Sequence, residues 1–186
     1  VYNPQNGWLQ NCNSTPFTVA GPMSPKSSDF PSYMAPDEEN FRGLNAVRVL
    51  SKEKNYTLDQ VIRAGYDTYL TAFEILIPAL VKAFEQQVSP RDTAFAYWAG
   101  PIAVLKNWDF HSAENSIATT LAIEWGEHIL PDLLRNPEYG SSEIGIVEKV
   151  RRYTNSAPPQ KMLQALRETI DRKSTRLNSS HLGISY

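Results

Sequence analysis

The stretch NPQNGWLQNCNSTP, Asn3 to Pro16, organises the reading of this chain. Trp8 to Asn13 carries no helical period, and Asn6-Gly7 before it and Ser14-Thr15-Pro16 after it are turn and breaker signals. It reads as a short strand, in which alternate residues share a face. Leu9, Asn11 and Asn13 then point one way and Trp8, Gln10 and Cys12 the other. Two primary amides on one face admit two readings. An amide NH2 is a neutral, fixed donor of the kind an oxyanion site needs. Alternatively, the asparagines satisfy nearby loop backbone.

Working outward, Phe17 to Pro36 is rich in Pro, Ser and Gly and reads as a long loop without a helix, of the kind that often covers or lines a site. From Asp37 the pattern turns helical, with Phe41, Leu44, Val47 and Leu50 on one stripe and Asp37, Glu38 and Glu39 at the helix start. Thr57 to Gln60 is a capping-box pattern. It predicts one long helix through Ile62, Tyr66, Tyr69, Phe73, Ile77, Leu80 and Phe84, kinked or split at Pro78. Asp92 is expected to cap a helix carrying Phe95, Trp98 and Leu105, with a break at Gly100-Pro101. A helix follows Ser112 through Ile117, Leu121, Trp125 and Ile129, then a short one over 146–152. A last helix starts at Pro158-Pro159 with Leu163, Leu166 and Ile170 inward.

The 186 residues allow one ordinary domain, and a net charge of -2 gives no basic footprint for nucleic acid. The longest apolar run, around 75–81, is too short to span a bilayer. A lone Cys12 leaves neither a disulfide within the chain nor a cysteine-cluster metal site. His111 and His128 have no second ligand at metal spacing, and a contact to Asp109 is the plain reading of His111. No metal ligand is therefore assigned to these residues.

The opening motif, the loop with PSYMAPDEENFRGLNAVRVL, then YTLDQVIRAGYDTYL and LKNWDFHSAENSIATTLAIEW together resemble the β-chain middle of the penicillin acylase (penicillin amidase) family. The resemblance covers roughly 3–170. It implies an α+β parent fold, the αββα N-terminal-nucleophile hydrolase, of which this piece is mostly helical with one or two short strands at its N-terminus. It also implies cleavage of N-acyl, linear amide bonds, such as β-lactam side chains or acyl-homoserine lactones. The nucleophile would be an N-terminal serine lying upstream of Val1, so the piece alone should be inactive. By position in the NCN part of the motif, Asn13 corresponds to the oxyanion donor, with Asn11 orienting it. Arg42 matches a supporting arginine at the first turn of the following helix, against the plain reading of a salt bridge to Glu38 or Glu39. Trp8 and Phe17 are candidates for the substrate wall, and equally for packing. Members bind calcium mostly upstream. The complete enzyme is thus compatible with calcium, whereas here Ser24 stands nearest the family's acidic ligand and Asp29 lies beyond it. The implied partners are a small N-acyl substrate and the remaining α and β segments of the precursor, in the periplasm or secreted. The alternative is a helical binding or scaffold domain without catalysis.

Asp171 to Tyr186 reads as foreign to this domain. DRKSTRLNSSH departs from the stripe of Leu163 and resembles, codon for codon, a translated sequencing adapter. Residues 1–170 are thus expected to be the partial β-chain domain and 171–186 a non-native tail.

Overall fold

The structure is a computed structural model that describes the backbone of residues 1–181 and the side chains of residues 1–172. Among the described residues, seven α-helices follow an irregular N-terminal stretch that runs to Asn40. They are α1 (Phe41–Leu50), α2 (Leu58–Gly65), α3 (Thr71–Gln87), α4 (Phe95–Lys106), α5 (Ile117–Arg135), α6 (Ile146–Ser156) and α7 (Pro159–His181). The helical character follows the sequence reading, whereas the expected N-terminal strand does not form among the described residues. Trp8 to Asn13 has a single ladder-like bond, Gln10 N–H to the Val19 carbonyl at 2.8 Å. Its side chains nevertheless alternate, with Leu9, Asn11 and Asn13 exposed and Trp8, Gln10 and Cys12 turned inward. An extended chain keeps this period of two whether or not a partner strand completes a sheet.

α3 is the central element and packs against α1, α4, α6 and α7, while α5 closes the bundle against α4, α6 and α7. Pro78 lies inside α3 without splitting it. A proline within a helix costs about 3 kcal/mol. Phe73, Leu76, Ile77, Leu80, Val81 and Phe84 of the same helix are buried, each contributing about 1.5–3 kcal/mol. Packing outweighs the lost backbone bond. Pro101 in α4 and Pro131 in α5 are carried the same way, so the expected break at Gly100-Pro101 does not occur.

The long helix from Thr57 to Phe84 breaks instead at 66–70. There Leu70 N–H bonds the Phe110 carbonyl at 2.9 Å and Ser112 N–H bonds the Thr68 carbonyl at 3.0 Å, forming an antiparallel bridge between Tyr69 and His111. A partner forty residues away takes the backbone groups that helix continuation would use. Tyr66 is consequently exposed rather than on the buried stripe.

The capping signals are mixed in outcome. Thr57 and Gln60 form the full capping box of α2. α1 begins only at Phe41, capped by Asn40, which leaves Asp37, Glu38 and Glu39 ahead of its first turn. Asp92 closes a turn by accepting from Ser89 N–H at 2.7 Å, while α4 starts at Phe95. Ser116 caps α5, four residues beyond Ser112. The Pro-rich loop holds three single 3-10 turns, Pro16–Thr18, Gly21–Met23 and Ser27–Asp29.

Trp125 sits at the centre of the core with no exposed surface, its indole N–H donating to the Met162 carbonyl of α7 at 3.3 Å. Lys149 is buried too, and its ammonium donates to the Leu134 carbonyl at 3.1 Å, a cation placed on the last turn of α5. α7 continues through Asp171 to His181 rather than stopping at Ile170, although Asp171 and Arg172 are exposed where Leu166 and Thr169 are buried. The final adapter-like residues, 182–186, lie outside the described residues. Apolar side chains remain exposed on α2 (Leu58, Val61, Ile62) and on α5 (Ile117, Leu134).

Candidate active site

The opening motif is fastened by its own polar side chains. Gly7 turns the chain at φ 79°, in the left-handed region that favours glycine. Asn6 Nδ2 donates to the Ala20 carbonyl at 2.8 Å. Gln10 is buried and its amide reaches the Thr18 carbonyl at 3.4 Å and Ser14 Oγ at 3.5 Å. Trp8 lies over Gly21: a Cβ at that glycine would sit 3.1 Å from the indole, with Val47 of α1 at 3.9 Å. Trp8 thus packs the motif onto the loop beside α1. Phe17 pairs with Phe30 at 6.0 Å between ring centroids and lines a cavity of about 490 Å³ with Ser27, Met34, Glu38 and Glu143.

Asn13 sits at φ 52°, a left-handed conformation that asparagine adopts more readily than most residues. Its N–H donates to Asn11 Oδ1 at 3.1 Å, the local turn that asparagine side chains make two residues on. Its own amide side chain is exposed. The peptide on either side is held from α1. Asn40 Nδ2 donates to the carbonyls of both Cys12 and Asn13 at 3.0 Å, while its Oδ1 accepts from Gly43 N–H at 2.9 Å. Thr15 N–H adds a bond to the Glu38 carbonyl at 3.3 Å. Gly43 allows the close approach, because a Cβ there would lie 2.7 Å from Ser14 Oγ. α1 is in turn joined to α3, through Thr71 Oγ1 to the Phe41 carbonyl at 2.9 Å.

Arg42 follows Asn40 by two residues on the first turn of α1 and is exposed. Among the described residues it makes no ion pair. Glu39 faces Arg151 at 3.8 Å instead, and Glu38 packs over Gly145. Arg42 borders a groove of about 340 Å³ between α1 and α2, with Ala46, Val49, Leu50, Val61 and Ala64. The fold therefore brings Asn13 and Arg42 to the same end of one helix.

Arg48 has a different task. It pairs with Asp67, donates from Nε to Asn45 Oδ1 at 2.9 Å and lies 4.0 Å above the Tyr69 ring. Asp67 also accepts from Asn45 Nδ2 at 3.2 Å and Tyr69 N–H at 3.1 Å. Burial pushes the Asp67 carboxyl up, but the Asn45 amide, the Tyr69 N–H and the charges of Arg48 and Lys52 together outweigh it and hold it below the ordinary 3.8. A carboxylate depressed on folding contributes stability above its unfolded pKa and loses it as pH falls through the lower folded value. Asp67→Asn is expected to lower the urea unfolding free energy by about 1–3 kcal/mol near neutrality. That difference from wild type should shrink when unfolding is repeated below about pH 3. An equal loss at both pH values would mean that the charge is not what holds the bend.

Among the described residues, no group of three or more His, Cys, Asp or Glu is placed to hold a metal ion. His111 N–H bonds Asp109 Oδ1 at 3.0 Å, the structural contact expected of it. His128 Nε2 lies 2.8 Å from Glu168. No helix among the described residues is long and apolar enough to cross a membrane.

An exposed amide on a fixed turn, at the end of a helix whose first turn carries a cation, is chemistry suited to a developing oxyanion. The family model for penicillin amidase matches residues 1–183. The chain belongs to the penicillin amidase family. Membership makes it part of a group of hydrolases acting on amide bonds.

Asn40 and the bend at Asp67 were not anticipated from the sequence. Asn40 had a readable signal, an asparagine immediately before the first apolar residue of a helical stripe. The three acidic residues ahead of it masked that signal. Asp67 had none, since its role depends on pairing with 110–112.

Proposed function

We propose that this chain supplies one wall of the active site of an N-terminal-nucleophile amide hydrolase, the nucleophilic serine being carried by polypeptide outside these 186 residues. That serine attacks the carbonyl of a linear N-acyl amide with its own α-amino group as base. The amine leaves, and water cleaves the acyl-enzyme. The Asn13 side chain donates to the tetrahedral oxygen in both steps, and Arg42 balances charge beside it. The substrates are N-acyl compounds such as β-lactam side chains or acyl-homoserine lactones. Phe17, with Trp8 behind the loop, contributes to the acyl wall. The complete enzyme assembles from further α and β segments of one precursor in the periplasm or outside the cell, and calcium, if bound, is held by those segments.

The observation that carries this reading is the exposed Asn13 amide on a backbone fixed by Asn11 and Asn40, in a chain of this family. The test is expression of the full reading frame from the source locus. The expected results are self-cleavage to a subunit with an N-terminal serine and release of a chromogenic amine from an N-acyl amide. An unprocessed product without amide hydrolysis would favour the helical binding or scaffold domain.

A further inference from the structure

We propose that Asn40 is a positioning residue for the oxyanion donor, an inference that rests on the role given above to Asn13. The assignment starts from hydrogen-bond arithmetic. A primary amide has one carbonyl and two N–H bonds. Asn40 spends its carbonyl on Gly43 N–H, which caps α1, and its NH2 on the carbonyls of Cys12 and Asn13. Only one orientation of the amide satisfies all three partners, because the helix offers a donor and the loop offers two acceptors. A side chain that capped the helix and nothing more would need only the carbonyl.

The two donated bonds grip the peptide carbonyls flanking the Asn13 Cα. That residue is in the left-handed region at φ 52°, a conformation that costs energy and persists where its surroundings over-determine it. Asn11 fixes the N–H of Asn13 from one side and Asn40 fixes its carbonyl from the other. With both peptide groups held, the Cα–Cβ direction of Asn13 is set relative to α1, and α1 is itself bound to α3 through Thr71. Gly43 and Ser14 close the joint by contact too tight for a Cβ. The exposed amide of Asn13 is thus aimed by the core of the bundle, and Asn40 is the link.

The test separates positioning from capping. Serine and aspartate cap helices about as well as asparagine, yet neither can donate to the two loop carbonyls as the amide does. In the complete processed enzyme, Asn40→Ser and Asn40→Asp are expected to lower kcat by about 10- to 100-fold, as misplacement of a catalytic group by about 1 Å does. KM and the melting temperature should stay close to wild type. The double variant Asn13→Ala/Asn40→Ser should be no slower than Asn13→Ala alone, because a positioning residue has nothing left to position. Wild-type kcat in Asn40→Ser and Asn40→Asp, alongside a slow Asn13→Ala, would reduce Asn40 to a cap and overturn the inference while leaving the oxyanion role standing. Wild-type kcat in Asn13→Ala would remove both. If Asn40→Ser fails to fold, Asn40→Asp carries the comparison, and loss of folding in both would make Asn40 structural and overturn the inference.

Discussion

Asn13→Ala in the complete processed enzyme is expected to lower kcat for amide hydrolysis by about 100- to 1,000-fold, the usual effect of removing one oxyanion donor. KM should change little, because the side chain meets charge that develops only in the transition state. Self-cleavage and folding should survive. The Asn13 amide is exposed, and its loss removes no packing. The substitution does place alanine at a positive φ, so Asn13→Asp and Asn13→Gly belong beside it. Glycine accepts the backbone without strain and lacks the donor. Aspartate keeps the shape and replaces the donor with a carboxylate. All three variants should be slow, and the glycine variant should be slow without loss of stability. Rapid hydrolysis by Asn13→Gly would assign the effect to backbone strain rather than to the amide.

The second large effect concerns stability. Trp125→Ala is expected to cost about 3–5 kcal/mol, a large share of the roughly 5–15 kcal/mol by which domains are stable. Trp125 is fully buried between α5 and α7 and its N–H is spent on Met162. Its neighbour Gly126 lets the Phe73 ring approach to within 3.1 Å of where a Cβ would be, so α3 and α5 meet without slack there. Truncation leaves a cavity that such a tightly packed joint cannot close. Urea unfolding followed by circular dichroism should show a lower midpoint at an unchanged slope. A loss below about 1 kcal/mol would mean that the three helices do not share one close-packed core.

The helical stripes were legible because each is a local pattern. Phe41, Leu44, Val47 and Leu50 specify α1, and Thr57 with Gln60 opens α2, without reference to anything distant. The misreadings share a cause in long-range structure. Gly100-Pro101 looks like a break until the burial of Ile102 and Leu105 beyond it is counted. The real interruption, at 66–70, is written in Phe110 and Ser112. The opening motif shows both sides. Its period-two alternation was readable from Trp8 to Asn13 and appears in the burial, but the chain carries no partner strand beside it among the described residues. The amides of Asn11 and Asn13 were visible as a pair. What holds the Asn13 backbone from the other side is Asn40, twenty-seven residues beyond it, and no spacing rule joins the two. Arg42 illustrates the converse. A sequence with Glu38 and Glu39 close by suggests a salt bridge, whereas the fold sends Glu39 to Arg151 and leaves Arg42 beside a groove.

The most direct measurement is a structure of the complete processed enzyme with a tetrahedral transition-state analogue on its nucleophile. The account predicts Asn13 Nδ2 at about 2.7–3.1 Å from the analogue oxygen, with Asn40 still bonded to the Cys12 and Asn13 carbonyls. An analogue oxygen held by other donors, with the Asn13 amide turned away from it, would contradict the account.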